Sequence, residues 1–231
     1  MIAGPWAGRT LHELVRDHGA ELLGTQAGLP QFPLLVKFLD ANDRLSVQVH
    51  PNDQQAAAAI PGERGKTEAW VILEAEPEAC VFAGLRPEVD RDALSRAIAE
   101  GTVEACLHRL RVRPGDCVFI PAGTVHALGE GVLLAEVQQS SDITYRLHDW
   151  NRLGPDGRPR PLHIEASLAC TDFTRGPVGP QVPQPLPACG PIAPPMAWRP
   201  ISQKRTSHSS SKPRTRGRGK NWISPLALFC L

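Results

Sequence analysis

Residues 115–128 read GDCVFIPAGTVHAL. The stretch opens on a Pro114-Gly115 turn, runs through Cys117, Val118, Phe119 and Ile120 with strand character, and breaks again at Pro121 and Gly123. Proline fixes φ and glycine tolerates positive φ, so the spacing reads as a strand, a tight turn, and a histidine, His126, where the turn ends. Such a histidine is either a buried structural residue or a ligand. The segments around it decide which.

Working outward, RLSVQVHP (44–51) alternates strictly, with Leu45, Val47 and Val49 facing one way and Ser46, Gln48 and His50 the other. Further strands are expected at PLLVKFLD (33–40), AWVILEA (69–75), CVFAGL (80–85), LLAEVQQSS (133–141) and ITYRLHDW (143–150). Two helices are expected. One runs over 10–23, with Thr10 as N-cap, Glu13 at the capping-box position and Gly24 as its end. The other begins at Asp90 and ends at Gly101. VEACLHRLRV (103–112) is open between a helix end and a strand. Short strands dominate and the helices are insertions, a pattern that suits a β-barrel or sandwich better than a doubly wound sheet.

The net charge of +1 over 231 residues hides an asymmetry. No Asp or Glu follows Asp172, whereas nine of the 25 Lys and Arg do, leaving 16 basic against 24 acidic side chains up to that point, a net −8. An acidic body argues against nucleic-acid binding by the core. The six cysteines show no CxxC spacing, so reduced thiols and a cytoplasmic location are expected. No secretory signal or membrane-spanning apolar run is evident. The chain divides into a domain over 1–175 and a Pro-rich, basic tail over 176–231, whose composition predicts disorder. A nucleic-acid arm is the weaker alternative for that tail, because it lacks interleaved aromatics.

Two residues apart on one strand, Gln48 and His50 leave the same face, the spacing of a chelating pair. Glu68, in GKTEAW, and His126 complete a set of two imidazoles, a carboxylate and an amide oxygen. Nitrogen and oxygen donors without thiolate suit zinc, and also non-haem iron or manganese.

Gly115, Pro121, Gly123 and His126 fit G-x5-P-x-G-x2-H, which resembles the second signature of the cupin barrel family, with Glu130 in place of its later Asn. LSVQVHPND, GKTEAWVIL, PAGTVHAL and QSSDITYRLHDW together are similar to the type I mannose-6-phosphate isomerases in their short bacterial form, from about Gly4 to about Phe173. The resemblance implies a mainly β, cupin-like (jelly-roll) barrel with a few inserted helices, followed by the tail. It implies one zinc ion per chain on Gln48, His50, Glu68 and His126. Arg146 and Glu136 match catalytic positions, and Lys66, Ser46 and Lys37 match polar positions lining a sugar-phosphate site.

The function so implied is interconversion of mannose 6-phosphate and fructose 6-phosphate. Two departures from the family pattern stand out: the usual first strands are lacking, and the second half gives way to the basic tail, as a truncated or frameshifted reading frame would look. A catalytically weak or inactive cupin that binds metal and sugar phosphate is therefore the alternative. An iron-dependent oxygenase is a third reading, disfavoured by Gln48 and by the pairing of Lys66 with Arg146.

Overall fold

The computed structural model describes residues 1–182, apart from Ala3 and Pro155; the expected disorder of 183–231 lies outside the described residues. Ten strands occur in the order β1 (Leu34–Ala41), β2 (Val47–Val49), β3 (Glu68–Ala75), β4 (Cys80–Leu85), β5 (Leu107–Arg111), β6 (Cys117–Ile120), β7 (His126–Leu128), β8 (Val132–Gln139), β9 (Tyr145–His148) and β10 (Pro180–Gln181). Four α-helices, α1 (Leu11–Leu23), α2 (Asp53–Ala59), α3 (Arg91–Glu100) and α4 (Ile164–Cys170), are inserted among them.

The strands form two five-stranded antiparallel sheets, ordered β1-β8-β3-β6-β10 and β5-β4-β7-β2-β9. From β1 to β9 each strand passes to the opposite sheet, except that β4 and β5, joined through α3, are neighbours in one sheet. This is the jelly-roll solution for a chain of short strands, and it faces residues distant in sequence across one interior. The cupin-like expectation holds.

Two cores follow from the period-2 alternation of side chains. Trp70, Ile72, Val118, Ile120 and Leu134 of the first sheet meet Val81, Ala83 and Leu128 of the second, all nearly inaccessible, and fill the space between the sheets. The reverse face of the second sheet, with Val47, Val49, Phe82, Ala127 and Leu147, is covered by Leu94 and Ala97 of α3 and Leu168 of α4. Removing such side chains from water stabilises by roughly 1.5–3 kcal/mol each, so the sheet that carries both histidines is anchored on both faces.

The expected helices form for the expected reasons. Thr10 and Glu13 cap each other's backbone at the start of α1, while Asp90 caps α3 and Gly101 ends it in the left-handed conformation at φ 71. The open stretch becomes both things: a 3-10 turn over Val103–Cys106, then β5. α2 was not anticipated, because a run of alanines has no apolar stripe. It is set by a reciprocal cap, Gln55 N–H donating to Asn52 Oδ1 at 2.9 Å and Asn52 N–H to Gln55 Oε1 at 3.0 Å.

Two details differ from expectation. The alternation of 44–51 does not extend to Leu45, which packs into the inter-sheet core while Val47 and Val49 face the helices. The chain also stays on the barrel past residue 175: Val178 N–H donates to Ala83 O at 3.1 Å, and β10 pairs with β6.

Candidate metal centre

The ladders set the geometry of the interior. On the second sheet Gln48 lies opposite His126 on one side and Arg146 on the other, so all three share a face. On the first sheet Glu68 lies opposite Gln138, and Glu136 lies between Lys37 and Trp70. The two rows meet between the sheets.

There His50, Glu68 and His126, all buried, bring one donor atom each to within 4.8 Å of one another. Glu68 Oε1 is 3.2 Å from His50 Nε2, and Glu68 Oε2 is 3.6 Å from His126 Nε2. The other ring nitrogens face backbone carbonyls, His50 Nδ1 at 2.9 Å from Ile143 O and His126 Nδ1 at 2.9 Å from Thr124 O. A carbonyl only accepts, so each Nδ1 carries the proton and each Nε2 presents a lone pair. Both Nε2 atoms are buried without a hydrogen-bond partner. Two imidazole lone pairs aimed at a carboxylate form a set of acceptors with no donor among them. That is the arrangement a cation resolves, and backbone carbonyls behind the rings are the usual way of fixing them for it.

The loops are locked to serve this. Gly123 N–H donates to His50 O at 2.8 Å, tying the two histidine segments together. Gly123 takes φ +85, and an added Cβ would lie 3.1 Å from the Cβ of Asp172, so the turn needs glycine.

Burial pushes the His126 pKa down to about 4, against the pull of Glu68. Burial works to raise Glu68, but the interactions with its neighbours, the Lys66 ammonium at 2.9 Å among them, outweigh it and hold the carboxylate below its usual range. Glu136 is shifted upward, first by burial and then by the Glu68 charge, with Lys37 and Lys66 opposing.

A pH dependence follows for the metal-free protein. Folded His126, at about 4, titrates below its ordinary value of 6.5, so the unfolded chain takes up the proton first. That contribution is full above pH 6.5 and is lost as pH falls toward 4; depressed Glu68 adds loss in the same direction at lower pH, and raised Glu136 partly offsets both. Urea unfolding of the apo protein should show stability falling by on the order of 2–3 kcal/mol between pH 7 and pH 4. A flat profile would contradict a neutral, buried His126.

The remaining expected residues fall around this cluster. Lys66 is buried, with Nζ 2.9 Å from Glu68 Oε1. Lys37 reaches Glu136 Oε1 at 3.3 Å and also donates to Gln138 Oε1. Both lysines are thus held by interior carboxylates or amides. Ser46 is buried immediately before β2. Arg146 donates from Nη1 to Pro161 O at 3.0 Å, while its Nε is buried without a partner.

Trp70 was not anticipated as part of the site. Its Nε1–H lies 3.2 Å from both Glu68 Oε2 and Glu136 Oε2, and its ring stands edge-on to His126 with centroids 5.5 Å apart. The signal was present: Trp70 is two residues after Glu68 on one strand and shares its face.

Residues 4–82 match the family described as phosphomannose isomerase type I, catalytic domain. Over 165 residues the chain is 44% identical to a mannose-6-phosphate isomerase of Bacillus subtilis (strain 168), covering 71% of this chain and 51% of that protein. The mannose-6-phosphate isomerase of Streptococcus mutans gives the same identity and coverage. The crystal structure of mannose 6-phosphate isomerase from Bacillus subtilis superposes with a TM-score of 0.70 at 38% identity, covering 76% of this chain and 55% of that one. The chain spans about half the length of the curated relatives it matches. By sequence and by fold, the matched part of this chain is similar to the type I phosphomannose isomerases.

Proposed function

We propose that the barrel is a zinc-dependent aldose–ketose isomerase that interconverts mannose 6-phosphate and fructose 6-phosphate. The observation that carries this reading is the pair of unpartnered imidazole lone pairs converging on Glu68 beside a second buried carboxylate, Glu136. His50, Glu68 and His126 would hold the metal, with the Gln48 amide, opposite His126, as fourth ligand. Zinc, when bound, supplies positive charge against the negative charge that develops on the two substrate oxygens during isomerisation.

The chain's own residues do the rest. Glu136, held above its ordinary carboxylate range by burial, suits a group that takes a proton from one carbon and returns it to the next. Arg146 stays charged and screens the site rather than acting as a base. Lys66, Ser46 and Lys37 orient the sugar. Among the described residues, Cys80, Cys106 and Cys170 are free thiols, which fits the proposed cytoplasmic setting. No helix among the described residues is long and apolar enough to cross a membrane.

A second reading rests on the half-length match: a domain that binds metal and sugar phosphate without turnover. One experiment separates the two. Fructose 6-phosphate formation from mannose 6-phosphate is followed by a coupled assay, with metal content measured on the same sample. Turnover that disappears on chelation and returns with zinc supports the isomerase. Bound metal without turnover supports the second reading, and absence of both overturns the site.

A further inference from the structure

Beyond the metal, the chain places an unusual concentration of guanidinium at the end of β9. The strand carries a bulge. Val47 pairs with His148 while the next residue of β2, Gln48, pairs with Arg146, so Leu147 is extra. Val49 and its partner Tyr145 belong to the helix-covered face, and the bulge keeps Leu147 there too. Arg146 is thereby left on the metal's side, next to Gln48. The chain then reverses over Asp149 to Arg152, with Arg152 N–H donating to Asp149 O at 3.0 Å. Trp150 and Asn151 at the centre of this turn take φ 54 and 55. Left-handed backbone at a tryptophan is costly and persists only where the surroundings impose it. Here Trp150 donates from Nε1 to Leu45 O at 2.6 Å and packs against Phe82.

The strained turn brings Arg152 back to Asp149. A small hairpin, closed by the Leu153–Pro159 bridge, returns Arg160 to the same carboxylate. Arg152 Nη2 donates to Asp149 Oδ1 at 2.6 Å, Arg160 Nε to Oδ2 at 2.6 Å, and Arg160 Nη2 also donates to Oδ1. Arg146 joins the group through Pro161, the residue after Arg160. Asp149 is 6% exposed, whereas the side chains of Arg152 and Arg160 keep 33% and 42% of their surface. Two guanidiniums therefore clamp one buried carboxylate, leaving one positive charge in excess and a part-exposed edge on each fork, with the charge of Arg146 close by. The interior lysines carry no such surplus, since Lys66 and Lys37 are matched by Glu68 and Glu136.

We propose that Arg152 and Arg160, clamped by Asp149, bind the phosphate of the sugar substrate. Two planar forks with a fixed mutual orientation match a phosphomonoester dianion, which a guanidinium grips through paired hydrogen bonds. Asp149 is a positioning residue: it sets the two forks and leaves their outer edges free. β9 is the last strand of its sheet, and its far edge is met at Arg146 by the segment that carries Pro161 and His163. It lies two strands from His126 on β7, about 10 Å at the usual strand spacing, with Arg146 between the phosphate and the reacting carbons. This assignment rests on the isomerase reading above and places the substrate end to end: sugar carbonyl at the metal, phosphate on the hairpin.

The test uses the full metal-loaded chain with the variants R152Q, R160Q, R160K and the R152Q/R160Q pair. Metal content and thermal midpoint, measured on each, identify any variant that misfolds. The partly exposed R160K serves where R152Q leaves Asp149 too poorly paired. The double variant should raise KM for mannose 6-phosphate by roughly tenfold or more while kcat changes by less than about threefold, because the forks grip a group remote from the chemistry. Inhibition by inorganic phosphate should weaken in parallel, and R160K should fall between R160Q and the parent because it keeps charge but loses the fork. Unchanged KM and phosphate inhibition, or a loss confined to kcat, overturns the proposal while leaving the isomerase reading intact. If the parent shows no turnover, isothermal titration with mannose 6-phosphate and with inorganic phosphate reads the same site directly. Loss of binding in the double variant then supports it, and equal binding, or none by the parent, overturns it.

Discussion

The His126→Ala protein is expected to contain less than about a tenth of the parent's metal and to turn over mannose 6-phosphate at roughly a thousandth of its rate or less. Three terms act together. One of two imidazole lone pairs is removed from a site that offers three convergent donors among His, Cys, Asp and Glu. The remaining His50 and Glu68 then hold the ion without the geometry that opposed it on the far side. The several kcal/mol of charge stabilisation that a bound cation provides disappears from the transition state, and each 1.36 kcal/mol is a factor of ten in rate. His126 is wholly inaccessible, so part of any loss could come from unfolding. Near-UV circular dichroism and urea unfolding distinguish the two. Turnover retained at depleted metal content would sink the metal assignment.

The second large effect is expected at Trp70. Trp70→Ala deletes the largest fully buried side chain between the sheets and should destabilise the barrel by about 3–5 kcal/mol. Trp70→Phe is the more instructive change. It keeps most of the volume but removes the Nε1–H shared by Glu68 Oε2 and Glu136 Oε2. Two carboxylates that point toward the same interior would lose their common donor. Stability should fall by about 1–3 kcal/mol, and metal affinity by roughly 10–100-fold, the usual consequence of freeing a metal ligand from its support. Equilibrium denaturation and competition with a zinc chelator measure the two separately. If Trp70→Phe left metal affinity untouched, the indole would be packing alone.

How much of this could be read from the chain depended on whether the information was local. The cap at Thr10, the stop at Gly101 and the strand at Cys80–Leu85 are encoded within a few residues of themselves, and they form where expected. Gln48 and His50 were legible as a same-face pair because a strand repeats every two residues. The convergence of His50 with Glu68 and His126 was not readable from spacing; it came through family resemblance, since facing partners across a jelly roll are set by the order of strands. Leu45 shows the limit of the alternation rule, which fails where β2 has not yet begun. The Asp149 clamp was missed for a different reason. Its partners lie three and eleven residues on, across a turn in which a tryptophan takes the left-handed backbone that turn preferences reserve for residues such as asparagine and glycine. Glu136 was singled out as acidic, but its raised pKa depends first on burial in the assembled interior and then on Glu68, delivered by a different strand.

The hydrogen bond from Gly123 to His50 has a kinetic corollary. It joins two segments that meet only after the chain has crossed between sheets several times, and no local fragment contains more than one of the three clustered donors on its own strand. An ion therefore has no nascent hairpin or helix to seize early, and late, non-local pairings of this kind are slow. Metal capture would act as a latch on a completed barrel, raising its stability in proportion to the logarithm of free ion concentration, instead of guiding the chain toward it.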